Sequence, residues 1–233
     1  TFSIVSQPTN ITGNVTISDP PIYASGTFTA VATYTHNGNE TTSDSFTYKA
    51  NDGTDDSNTT TATIAITAIN DIPVAQVVNG SGSEGGIITT TLIATDIDKT
   101  DTTGFRFNIS TQPVYRIADV SIGSVSYESG TFTAVATYTH DDTQTTSDSL
   151  KYTANDGTAD SDTSTATIMI TAINDAPISI AINGSGNEGG TITTTLTATD
   201  VDDSNAAGFN FSIVSQPTDI TGSISIGTVS YSS

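Results

Sequence analysis

The sequence predicts an all-β chain built as a tandem array of seven-stranded β-sandwich repeats of about 104 residues. Three observations carry that prediction. Ser25–His36 recurs letter for letter as Ser129–His140, and further echoes keep the same phase: Ala50–Thr54 with Ala154–Thr158, Ala68–Asp71 with Ala172–Asp175, and Asn79–Gly82 with Asn183–Gly186. A fixed period of this kind marks an array of like modules. Apolar residues alternate with period two, as Phe132, Ala134, Ala136 and Tyr138 do against Thr131, Thr133, Val135 and Thr137. Finally, the breaks between alternating runs are clusters of Gly, Asn, Asp and Ser, and no run has a helical period.

One full repeat runs from Pro73 to Ala176. Strands are expected near 74–79, 87–95, 105–111, 118–126, 131–140, 148–154 and 163–172, where Thr and β-branched residues favour extended chain. Ala166, Ile168, Ile170 and Ala172 share one face of the last of these, and Leu150, Tyr152 and Ala154 one face of the strand before it. Seven short strands with turns between them point to an Ig-like sandwich, without the Cys and Trp of antibody domains.

The boundaries fall at Ile69–Pro73 and Ile173–Pro177, where Asn-Asp makes a tight connection and Pro cannot continue a ladder. By phase, residues 1–72 form a partial repeat lacking its first two strands, 73–176 a complete one, and 177–233 a partial one ending after about four strands. Phe211–Thr218 accordingly restates Phe2–Thr9. Either the chain is a window on a longer array, or residues 177–209 of one copy supply the missing strands to residues 1–72 of the next by β-strand complementation.

The 25 Asp and Glu against 5 Lys and Arg give a formal net charge of −20, which repels nucleic acid and anionic membrane surfaces and attracts cations. There is no Cys, so no disulfide staples the repeats, and no apolar run approaches the roughly 20 residues of a membrane-spanning helix. Neither nucleic-acid binding nor membrane insertion is expected.

The carboxylates gather at strand ends and repeat boundaries rather than at every turn. Asp96-Ile-Asp98 and Asp200-Val-Asp202 follow strands, Asn70-Asp71 and Asn174-Asp175 form the connections, Asn155-Asp156 closes a strand, and Glu84 and Glu188 sit in Gly-rich turns. Hard oxygen donors without Cys or paired His suit calcium, which takes 6–8 oxygens, and disfavour zinc. The alternative is that these residues only form turns and solubilise the surface. His36 and His140, the two histidines, are expected to be surface strand-end residues.

Ser43–Gly53, followed by the alternating Thr59–Val74, resembles the tandem cadherin-like and Ig-like repeats of giant bacterial surface adhesins, the RTX-type adhesins among them. The resemblance implies extracellular location and calcium at the junctions. It places one calcium set at Asn70, Asp71, Asp96, Asp98 and Asp156, with an upper Glu in the missing strands. It places a second at Glu84, Asn174, Asp175, Asp200 and Asp202. Two departures imply fewer or weaker ions than a cadherin joint: the connections lack a leading Asp, and the D-R-E motif is absent, leaving Asp44 or Asp148 nearby.

An enzyme is not expected. Paired carboxylates could serve a glycosidase, but Trp is absent and the Tyr and Phe lie on inward strand faces. The expected role is a structural extender of a large repetitive cell-surface adhesin or fibre, with neighbouring repeats, or head-to-tail copies of the chain, as partners. Two alternatives stand: a subunit of a self-assembling extracellular filament, and a loop-based carbohydrate or protein binding module.

Overall fold

A computed structural model describes residues 1–232. Strand formation follows the alternation. Residues 1–72 hold seven strands: β1 (Phe2–Ser6), β2 (Thr16–Ile17), β3 (Ile22–Ala24), β4 (Thr27–Thr29), β5 (Ala32–Thr33), β6 (Ser43–Ala50) and β7 (Thr60–Ala65). The central repeat holds nine: β8 (Val74–Ala75), β9 (Val78–Ser83), β10 (Ile87–Thr95), β11 (Arg106–Thr111), β12 (Ser121–Ile122), β13 (Ser126–Glu128), β14 (Thr131–Thr139), β15 (Ser147–Asn155) and β16 (Ser164–Thr171). Residues 177–232 hold β17 (Ile178–Ile180) and β18 (Thr197–Thr199).

The central repeat is an Ig-like β-sandwich. One face is β11-β15-β16-β9, the other is β10 and β14 with β8, β12 and β13 at their edges. Two of the expected strands divide. The first becomes β8, which pairs with β10, and β9, which crosses to pair parallel with β16, so one stretch of chain ties both faces together. The expected strand at 118–126 becomes β12 and β13, both laid on β14.

Gly80 and Gly82 make the crossing of β9 possible. A Cβ on Gly80 would sit 2.8 Å from Thr90 Cβ, and one on Gly82 2.5 Å from Ile88 Cγ1. Only glycine lets β9 lie this close to its neighbours. The two-residue turn joining β13 to β14 is Ser129-Gly130, both at positive φ, as a hairpin turn that matches strand twist requires. The same pair at Ser25-Gly26 turns β3 into β4.

The alternation settles into the core. Phe132, Leu150, Tyr152, Ala154, Ala166 and Leu92 are completely buried between the faces, and Phe105 stacks on Phe132 with ring centroids 3.7 Å apart. Ala172 departs from its expected buried face and is exposed, because β16 ends one residue earlier. His140 corrects the expectation of a surface histidine. It is 0% exposed, its Nδ1 accepts N–H groups from Gly85 (3.4 Å) and Asp142 (3.3 Å), and its Nε2 hydrogen-bonds Thr145 Oγ1 (3.1 Å). With two N–H groups aimed at Nδ1, the ring carries its proton on Nε2. It pins the loop after β14 to the turn before β10. His36, its equivalent, is half-buried and bonds Thr41 in the same way.

Asp148 and Asp44 hold loops within their own repeats. Asp148 accepts N–H groups from Val114, Tyr115 and Ser149, and Asp44 accepts those of Thr9, Asn10 and Ser45 together with the Tyr34 hydroxyl.

Candidate metal centres

At the first boundary the connection Asn70-Asp71 lies over the loop that follows β10. Asp96 Oδ1 accepts the N–H groups of Asp98 (2.9 Å) and Lys99 (3.1 Å), which folds the loop back and presents Asp98 upward. Asp98 then accepts the N–H of Asp71, and Asn70 Nδ2 donates to Asp156 Oδ2 at 2.8 Å. The carboxylate oxygens of Glu40, Asp71 and Asp98 fall within 4.8 Å of one another.

The second boundary repeats the design. Asp200 Oδ1 accepts the N–H groups of Asp202 (2.9 Å) and Asp203 (3.2 Å), and Asp202 accepts the N–H of Asp175. Glu84 reaches the connection from the turn between β9 and β10, where its Oε1 accepts the N–H of Ile173. Glu84, Asp175 and Asp202 again bring carboxylate oxygens within 4.8 Å of one another.

Two oxygens distinguish these clusters from ordinary acidic surface. Glu84 is 2% exposed and Asp96 7%, yet Glu84 Oε2 and Asp96 Oδ2 are buried without a hydrogen-bond partner. A buried charged oxygen left unpaired is costly. The electrostatics agree. Burial, followed by the charges of Asp142, Asp202, Glu84 and Asp200, raises Asp175 above the usual carboxylate range. Burial, reinforced by Asp156 and Asp98 against two backbone hydrogen bonds, raises Asp96. Hydrogen bonding to Asp98, burial and the charges of Asp98 and Asp71 raise Glu40. Asp156 goes the other way: burial is outweighed by the N–H groups of Ala159 and Thr158, the Asn70 amide and Lys99. Burial and mutual repulsion disfavour the charged form of Asp175, Asp96 and Glu40, a cost that a bound cation would offset, and hard oxygen donors with a backbone frame fit a divalent ion such as calcium.

Of the sequence-expected residues, Asp71 and Asp98 meet at the first boundary, with Asp96 as loop organiser and Asn70 joined to Asp156. Glu84, Asp175 and Asp202 meet at the second, with Asp200 as organiser, while Asn174 Nδ2 is turned to the Asp175 carbonyl at 2.7 Å. The loop between the duplicated histidine and the next strand was missed. It brings Glu40 to the first boundary. At the second, the equivalent Gln144 donates to Asp175 Oδ2 at 3.3 Å, and Asp142 adds its charge. The signal is in the phase comparison: Asn37-Gly-Asn-Glu40 against Asp141-Asp-Thr-Gln144 is a divergent loop between conserved-looking flanks of two copies.

Residues 70–169 match the family described as Bacterial Ig domain. No curated protein matches the chain in sequence. Among solved structures, protocadherin gamma B2 extracellular cadherin domains 3–6 is similar at 16% identity and a TM-score of 0.45, over 85% of this chain and 51% of that one. Mouse clustered PcdhgC3 EC1-3 is similar at 18% identity and a TM-score of 0.40, over 68% and 53%. An endo-fucoidan hydrolase of glycoside hydrolase family 107 is similar at 16% identity and a TM-score of 0.34, over 74% and 24%. The chain spans about a quarter to half the length of these structures.

Proposed function

We propose that the chain is an extender segment of a large repetitive surface protein, adhesin or fibre, whose inter-repeat joints are stiffened by calcium. The observation that carries the reading is the pair of three-carboxylate clusters, each drawing residues from both sides of a repeat boundary, with unpartnered buried oxygens of Asp96 and Glu84 beside them. Asp71 with Asp98, joined by Glu40, would hold the first joint; Glu84, Asp175 and Asp202 would hold the second. Asn70, Asp96, Asp156, Asn174 and Asp200 frame the loops around them and can add oxygens once the ion is present. Bound calcium would neutralise the clustered charge and crosslink the two repeats. Repeats stacked in line then add length at constant cost per module, and the match to a bacterial Ig family over 70–169 supports a module of this kind, which on this reading lies outside the cell and is not catalytic.

The test is calorimetry and small-angle scattering of the chain in calcium and in chelator. With an affinity of about 10⁻⁴ to 10⁻³ M, about 10 mM calcium stabilises each site by roughly 1.4–2.7 kcal/mol. That is a rise in melting temperature of about 5–20 °C for a domain of this size. Scattering should show a longer, straighter particle in calcium. Identical melts and identical scattering curves in calcium and excess chelator refute the reading.

A further inference from the structure

Each repeat boundary carries aliphatic side chains on its surface beside the carboxylates. At the first boundary Ile72 is 51% exposed, Val74 60% and Ile97 62%. Val74 opens β8 opposite Thr95, near the end of β10. Pro73, fully buried, has no N–H with which to carry the ladder on toward Asp96. A groove of about 390 Å³ lies there, lined by Asp71, Ile72, Val74, Thr95, Asp96 and Ile97. Clefts that hold ligands run from about 300 to 1,000 Å³.

The exposure belongs to the boundary itself. Below the first boundary the repeat is complete, and Val74 and Ile97 are its own residues. Above the second boundary the repeat is complete, and there Ile178 and Val201, at the positions of Val74 and Ile97, are 69% and 62% exposed. Ile178↔Thr199 keeps the register of Val74↔Thr95, and Ala176 stands where the first boundary has Ile72. The polar part of the groove is anionic and has no counter-charge. Asp71 and Asp96 line it, and Asp98 joins them by accepting the Asp71 N–H. Asp96 is more than nine-tenths buried, with Oδ2 left without a hydrogen-bond partner. Among the described residues none of these three carboxylates forms an ion pair. The cation next to them in the chain, Lys99, turns its Nζ to the Thr103 carbonyl at 2.7 Å.

We propose that the boundary groove docks an extended basic segment of a partner protein, one that carries an aliphatic side chain next to a Lys or Arg. The aliphatic side chain covers Ile72, Val74 and Ile97 and takes their surface out of water. The neighbouring cation meets the carboxylates of Asp71 and Asp96, so an oxygen that is costly to leave unpaired gains a partner. A neutral ligand leaves that oxygen as it is, and an anionic one is repelled by the groove and by the net charge of −20. The two boundaries stand one repeat apart, so a partner with two such segments gains by holding both. The docking does not rest on the calcium reading. Calcium at Asp71 and Asp98 takes up the same charge, so the ion and the segment compete.

The test is a titration of the isotopically labelled chain in chelator, followed by its amide NMR signals. Chelator takes calcium out of the measurement, so either reading can fail without the other. The probes are the synthetic peptide Gly-Leu-Lys-Ile-Lys-Gly, its equally charged serine counterpart Gly-Ser-Lys-Ser-Lys-Gly and its acidic counterpart Gly-Leu-Glu-Ile-Glu-Gly. Shifts on adding the first should concentrate at Asp71, Ile72, Val74 and Thr95–Ile97 and at the matching residues of the second boundary. The serine peptide should bind about tenfold more weakly, and the acidic one not at all. Ile97→Ser should weaken the first boundary about tenfold and leave the second unchanged. Asp96→Asn, which keeps an acceptor for the N–H groups of Asp98 and Lys99, should weaken the first boundary as well. Met169→Ser, at an exposed apolar position on β16, should change nothing. Leucine and serine peptides that bind alike, shifts spread evenly over all the acidic loops, or an Ile97→Ser or Asp96→Asn variant that binds as the wild type does would overturn the inference.

Discussion

Replacing Glu84 by Gln isolates the charge at the second joint from its shape. Glu84 Oε1 accepts the N–H of Ile173, and the carboxamide oxygen can keep that bond; Oε2 is buried without a partner, and an amide nitrogen there faces the Asp175 and Asp202 carboxylates. In chelator the substitution therefore removes a buried unpartnered charged oxygen, whose desolvation costs about 1–3 kcal/mol, and supplies a donor to two acceptors. The variant should be as stable as the wild type or more so. In calcium it loses one of three clustered carboxylates. A tenfold weaker site, about 1.4 kcal/mol, lowers the stabilisation at about 10 mM calcium to roughly 0.4–1.4 kcal/mol. The signature is a smaller response to calcium: a melt in chelator as high as the wild type or higher, and a calcium-induced rise reduced by about 1.0–1.3 kcal/mol, read by differential scanning calorimetry, with isothermal titration showing one site weakened. A variant that loses the same stability in both conditions would make Glu84 a purely structural acceptor and refute the reasoning.

Two further outcomes are expected. Tyr138→Phe should be neutral or stabilising by about 1 kcal/mol, because the Tyr138 hydroxyl is buried without a partner, its pKa pushed up to about 12 by burial and by the charges of Asp148 and Asp141; a loss of more than that on chemical denaturation would reveal a bond it makes. Acidification should act in two stages in chelator. Asp96, Asp175 and Glu40 have raised folded values, so the folded state takes up protons first and gains stability as pH falls from neutral toward the ordinary carboxylate value. Asp44, Asp52, Asp56, Asp101, Asp141 and Asp156 are lowered from 3.8, so their contribution is present above that value and is lost as pH falls below it. The melting temperature in chelator should therefore pass through a maximum in the acid range, whereas in calcium the same protonation expels the ion and the melt should only fall; a monotonic fall in chelator would contradict the crowding at the joints.

The alternation and the 104-residue phase determined the all-β class, the central repeat's strand faces and the placement of acidic residues at its boundaries, because side-chain direction in a strand depends only on local period. Phe132, Leu150, Tyr152 and Ile168 are buried as that period requires. Asp98, Asp175, Asp202 and Glu84 were legible as ligand candidates because they stand at the same phase in each copy. Contacts between distant segments depended on tertiary structure. The crossing of β9 between faces, the burial of His140 behind two turns, and the arrival of Glu40 at the first joint each bring together segments whose proximity no local pattern encodes. The sharpest case is a twelve-residue segment written twice. The sequence assigns both copies the same strand, and what makes Phe132 core is the packing of Phe105 and Tyr127 on it, since burial belongs to what covers a residue and not to the residue.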